Sequence, residues 1–170
     1  MSMPVIFLET RGGFCEFLAA NVDLKLWMVD YDVIKGALDP EKDDASDLAR
    51  TDFKRGSSYL LKRAFDRLET LSWVEYADFV EAGLSEEMFM PVIASDPVEV
   101  SAVVEKGVVH AEAMRPDVQV ILVDHDERTI SACEVAGHTP TGMAEARHRH
   151  LTAIREAFDA LEPATSGPAR

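Results

Sequence analysis

The sequence predicts an α+β protein made by internal duplication of one β-β-β-α unit. Each unit reads as an antiparallel three-stranded meander followed by a helix, and a pseudo-two-fold relates the two. Three observations lead there. First, Val22 to Asp32 (VDLKLWMVDYD) aligns without gaps on Pro116 to Asp126 (PDVQVILVDHD), so that Asp23, Val29, Asp30 and Asp32 recur as Asp117, Val123, Asp124 and Asp126. Second, Ala64 to Glu69 (AFDRLE) returns as Ala157 to Glu162 (AFDALE), one residue out of the same register. Third, in both copies an apolar alternation of period two gives way to one of period 3.6, the change from strand to helix.

In the first unit, Pro4 to Thr10 reads as a strand and Arg11-Gly12-Gly13 as a hairpin turn, where glycine supplies positive φ. Phe14 to Ala20 runs back, Asn21 to Asp23 turns, and Leu24 to Asp30 is the third strand. A helix follows, with Ser57 as N-cap and Leu61, Ala64, Phe65, Leu68 and Leu71 on one face. The second unit repeats this with strands near Glu99 to Val104, Val108 to Met114 and Val118 to Asp124, with turns at Lys106-Gly107 and Arg115-Pro116. Its helix is entered through Thr139-Pro140-Thr141 and carries Leu151, Ile154, Phe158 and Leu161. The segment between, from Ser72, has no copy. Ser72 and Glu75 read as a capping box, Gly83 as a helix-ending residue, and a second short helix is expected from Ser85. The divisions are therefore 1–71, a helical acidic connector at 72–97, 98–162, and a loose tail at 163–170. A meander alone is unstable, and a helix on its apolar face closes a core. Duplication implies an ancestor that paired as a homodimer, so the expected state is a monomeric pseudo-dimer or a homodimer.

Composition narrows the function. Hydrophobic residues are 47% of the chain, enough for a real core. No apolar run reaches membrane-spanning length, the start lacks a basic leader pattern, and Cys15 and Cys133 read as reduced thiols, so a cytoplasmic protein is expected. A net charge of −14 disfavours direct binding to nucleic acid or to an anionic membrane. The charge is uneven, with no Lys or Arg between Leu68 and Glu105.

Candidate chemistry is sparse. The Asp-X-Asp pairs that end the third strands, Asp30 with Asp32 and Asp124 with Asp126, each place two carboxylates on one side of a strand and could ligate Mg²⁺ or Mn²⁺. Their plainer role is turn formation, since Asp at a strand end bonds the backbone that follows it. Cys133, His138, His148 and His150 are close in sequence but fit no zinc spacing. Cys15 has acidic neighbours that suppress a thiolate, and no serine elbow or phosphate loop occurs. Ala82-Gly83-Leu84-Ser85 has the look of a helix-turn-helix, but Glu86 and Glu87 would face phosphates there. Arg50, Lys54, Arg55, Lys62, Arg63 and Arg67 form a basic cluster that neutralises the acidic run before it.

Gly12-Gly13, Asp23 and Val29-Asp30-Tyr31-Asp32 resemble a pattern found in short proteins of plasmids, phages and integrated elements. The likeness spans about 30 residues per unit and implies an accessory protein of mobile DNA; it carries no catalytic residue.

The function expected from these residues is non-enzymatic binding of another protein, with no cofactor. Its contact would be the connector: Trp73, Glu75, Tyr76, Asp78, Phe79, Glu86 and Glu87, together with Phe89, aromatic anchors within an acidic rim. A basic DNA-binding protein, inhibited by carboxylates that imitate phosphates, is the particular partner expected. The alternative is a Mg²⁺- or Mn²⁺-dependent enzyme using Asp30, Asp32, Asp124 and Asp126, which requires the two strand ends to converge.

Overall fold

A computed structural model describes residues 3–36, 39, 41, 51–84, 89, 96–115 and 117–161. Nine strands form two mixed sheets, and four helices accompany them among the described residues. The elements are β1 (Val5–Arg11), β2 (Phe14–Ala20), β3 (Leu24–Asp30), α1 (Tyr31–Gly36), β4 (Thr51–Lys54), α2 (Ser58–Glu69), α3 (Tyr76–Glu81), β5 (Val98–Glu105), β6 (Val108–Ala113), β7 (Gln119–Asp124), β8 (Thr129–Ala132), β9 (Val135–Gly137) and α4 (Pro140–Leu161). The first sheet has the order β2-β1-β7-β8 and the second β4-β3-β5-β6-β9.

The expected meanders do not form. β3 leaves β2 and pairs in parallel with β5, while β1 pairs in parallel with β7. Each sheet thus takes a hairpin from one half of the chain and a strand pair from the other. The cause lies at the corner between β2 and β3. Asn21 does not make a hairpin turn: its Oδ1 accepts from the Val5 amide at 2.8 Å and its Nδ2 donates to the Met3 carbonyl at 3.0 Å. Those bonds finish the first sheet. Val22 is buried, and the chain passes across to start the second sheet at Leu24.

Three apolar clusters order the layers. Ile6, Leu8, Val120 and Leu122 of the first sheet meet Leu24, Leu26, Val100 and Ala102 of the second. Their neighbours in sequence point the other way, as strand geometry requires. Val5, Phe7, Ile121 and Val123 pack on Leu61, Ala64 and Leu68 of α2 and on Phe79 of α3. Trp27 and Val29 pack on Ile34 of α1 and Ile154 of α4. The result is a four-layer sandwich, helix on sheet on sheet on helix. Both faces of β1 are covered, which is why Val5-Ile6-Phe7-Leu8 is apolar throughout instead of alternating.

The helices follow their sequence signals closely. Ser57 is the N-cap of α2, its Oγ accepting from the Leu60 amide. The connector helix begins at Tyr76, three residues beyond the expected start, because Asp78 supplies the cap by accepting from the Glu75 amide at 2.8 Å. Gly83, at φ 79°, ends it as expected, with the Leu84 amide donating to Phe79. The helix expected from Ser85 lies outside the described residues. Among the described residues no helix is long and apolar enough to cross a membrane.

Candidate functional site

The Asp-X-Asp motifs are structural corners. Asp30 Oδ1 accepts from the amides of Asp32 and Val33 at 3.0 and 3.1 Å, and Asp124 Oδ1 accepts from Asp126 and Glu127 at the same distances. The outer aspartate of each pair reaches the other half of the chain. Asp32 accepts from the amides of Lys106 and Gly107 at 2.6 and 2.8 Å, and Asp126 from those of Gly12 and Gly13 at 2.9 Å each. These four donors belong to the two hairpin turns, where φ is positive at all four residues. Each hairpin is therefore tied to the strand end beside it by one carboxylate. The two turn amides hold the Asp126 carboxyl below its ordinary range, and burial draws that of Asp30 upward.

Metal chemistry at Asp30, Asp32, Asp124 and Asp126 is not assembled by this geometry. Their oxygens are aimed at amides, and among the described residues no three His, Cys, Asp or Glu side chains are grouped to hold an ion. A test of the structural role follows directly. Asp126→Ala is expected to raise amide exchange at Gly12 and Gly13 on the order of fivefold at neutral pH. In the parent chain the same protection is lost as pH falls through the depressed carboxyl range, because protonation removes the acceptor. Unchanged exchange in the variant would show that the turn holds itself.

The connector divides its residues between core and surface. Phe79 is buried, and Trp73 is half-buried in the same cluster, its ring edge-on to His125 at 5.9 Å. Phe89 packs on Phe65 with ring centroids 5.1 Å apart, and Phe79 on Phe65 at 4.4 Å. Glu75 is exposed and Asp78 caps the helix. Tyr76 alone of these aromatics is open to solvent, at 80%. Glu86 and Glu87 lie outside the described residues. Between α2 and α3 runs a groove of about 440 Å³, floored by Phe65, Phe79, Leu84 and Phe89 and bounded by Tyr76, Lys62 and Glu69. Tyr59 and Leu60 of α2 and Val80 of α3 are also exposed, so this layer carries four of the eight large exposed apolar side chains among the described residues.

A second cluster was only half legible in the sequence, which singled out His138 and His150 but not Glu112. His138 and His150 both converge on Glu112, each Nε2 lying 2.8 Å from a different carboxylate oxygen. Cys133 and His148 take no part, and His148 is exposed. Glu112 is on the outer face of β6, under α4, with its side chain 8% exposed. Burial draws its carboxyl up, but the hydrogen bonds from His150 and His138 outweigh burial and hold it below the ordinary range. An ionised carboxylate only accepts, so both Nε2 atoms carry hydrogen. The other ring nitrogen of His150, Nδ1, lies 2.5 Å from the Tyr31 hydroxyl. Trp27 lies against the His150 ring at 5.3 Å, and Arg149 Nη2 stands 3.8 Å from Glu112. Burial, aided by Glu105 and Glu112, pushes the Tyr31 phenol upward, so it stays protonated.

The signal for this array was present but not decisive. Glu112 alternates with Ala111 and Ala113, and a lone acidic residue there reads as a solvent-facing position. Only the covering of β6 by α4 makes it interior.

No protein-family model matches the chain, and no curated protein or solved structure matches it.

Proposed function

We propose that the chain is a non-enzymatic binding protein whose contact surface is the α2–α3 layer. The observation that carries this reading is the open aromatic-floored groove beside exposed Tyr76. Aromatic anchors in a concave site with polar edges are the usual makings of a protein interface. The partner is a basic protein, because the chain carries a net charge of −14 and Glu75 and Glu81 stand exposed at the two ends of α3. A DNA-binding protein is the particular class favoured, since its surface is already built to meet an array of negative charge. An accessory role in mobile DNA accords with the sequence resemblance.

Internal duplication is part of the same proposal. It is supported by the matched strand plans, in which β2-β1-β7-β8 corresponds to β6-β5-β3-β4. The reciprocal carboxylate ties of Asp32 and Asp126 support it as well.

The test is retention of host proteins on the immobilised chain, compared with a Tyr76→Ala, Glu81→Lys double variant. A discrete basic protein held by the parent, lost by the variant and displaced by duplex DNA is the expected result. Equal retention by both chains would sink the reading.

A further inference from the structure

The two sheets differ at one edge. In the second sheet β9 covers the outer side of β6, running parallel with Ala111 opposite Val135 and Ala113 opposite Gly137. In the first sheet β2 is the corresponding hairpin strand, and no described strand lies beyond it. Which of its backbone groups face outward follows from the ladder. The Thr10 carbonyl accepts from the His125 amide at 2.9 Å, toward β7. Thr10 therefore points away from β2, and Thr10–Cys15 and Leu8–Phe17 are the pairs without mutual hydrogen bonds. The amides and carbonyls of Cys15 and Phe17 consequently point out of the sheet. The same alternation, carried past the bulge beside Phe7 and Leu8, sends the Ala20 carbonyl outward, where it accepts from the Ser57 amide at 2.8 Å.

Beside this edge lies a groove of about 520 Å³ at the open side of the sandwich, floored by Cys15, Phe17, Leu26 and Met28 and rimmed by Glu16 and Lys54. Burial pushes the Cys15 thiol up to about 12, so it acts there as an apolar group and not as a nucleophile. What covers such an edge is visible in the other sheet. There Val135 of β9 packs into the core between the sheets, the Ala111 amide donates to Glu134 at 2.8 Å, and the His138 amide donates to Ala113 at 2.7 Å.

We propose that the outer edge of β2 is a second docking site, which takes an extended segment of a partner protein running parallel to β2. Its backbone pairs with Cys15 and Phe17, and an apolar side chain fills the groove as Val135 does beside β6. The opposite side chains of the segment face solvent near Glu16, and on a chain of net charge −14 they are basic. This site is separate from the α2–α3 groove and stands or falls independently of it.

The test uses a blocked synthetic peptide of about eight residues that alternates valine and lysine, the length of an ordinary strand. Binding is followed by amide NMR and hydrogen exchange on the intact chain. The expected result is exchange at Cys15 and Phe17 slowed by at least about tenfold when the peptide is present. N-methylation of one alternate set of peptide amides should abolish binding, and of the other set spare it, because only one set faces the sheet. The proposal is overturned if the peptide does not bind or if protection appears instead at β4 or β8. It is also overturned if Cys15 and Phe17 are already protected in the free chain. Protection independent of concentration would then mark a segment of the same chain as the cover, and concentration-dependent protection a second copy.

Discussion

Gly56→Ala is expected to destabilise the chain severely. Gly56 lies where the polypeptide leaves β4 for α2, passing over the corner between β2 and β3. A Cβ there would sit 1.8 Å from the Val22 carbonyl oxygen and 2.1 Å from its carbon. Both are backbone atoms of a buried residue and cannot swing aside. The crossing is pinned on both sides, by the Gly56 amide donating to Asp23 Oδ1 and the Ser57 amide donating to the Ala20 carbonyl, each at 2.8 Å. Relief would require the two strands of the corner to part, which places the change among the rare substitutions that cost more than about 4 kcal/mol. In a chain of this size that lowers Tm by more than about 10 °C. Gly36→Ala is the control, because a Cβ at Gly36 meets nothing within 4 Å. Urea unfolding of the two variants checks the prediction; a loss under about 1 kcal/mol for Gly56→Ala would show that the crossing is not packed as described.

The second large effect is at Glu112. Glu112→Leu removes the common acceptor of two imidazole N–H groups in a site closed by α4, and fills it with an apolar side chain. Leaving buried His150 without its acceptor costs about 1–3 kcal/mol, and half-buried His138 less, so a total loss of about 2–4 kcal/mol is expected. The pH dependence has a definite sign. The folded carboxyl is held below its ordinary value of 4.5, so its contribution is complete above that value and declines as pH falls through the folded one. Glu112→Gln removes the titration while keeping the shape. Stability measured from about pH 6 to about pH 3 should therefore fall less steeply in Glu112→Gln than in the parent chain. Parallel curves would mean that Glu112 is not the acid-sensitive group of this interface.

Much of this fold was legible in the residues. The strands of both halves, the turns at Gly12-Gly13 and Lys106-Gly107, the Ser57 cap and the apolar stripes of α2 and α4 all follow from local rules, and local rules are what a sequence records most directly. The pairing of strands was not legible. Consecutive strands usually neighbour one another, and nothing in Asn21-Val22-Asp23 announces that Asn21 will tie back to Met3 and Val5 instead of turning. The short strands β4, β8 and β9 and the helix α1 were missed for a related reason. They are three to six residues long, and their pairing or packing partners decide them more than their own composition does. The connector aromatics illustrate the same limit at the candidate site. Spacing alone does not separate Phe79, which packs on Phe65, from Tyr76, which stands in solvent. Glu112 with His138 and His150 is a contact made across 26 and 38 residues, beyond the reach of any motif.

The exchange of hairpins between the halves has a consequence for how the chain comes into being. β1 and β2 are made before β7, so their sheet stays incomplete until β7 arrives, and β3 must wait for β5. The amino-terminal half cannot finish folding while the rest is still being made, and its apolar strands stay open to other chains throughout that interval. Once both sheets close, the order of dependence is reversed. A cut in the stretch between α3 and β5 would sever one peptide link and leave every ladder of the described residues intact, so the two pieces should remain a single folded body.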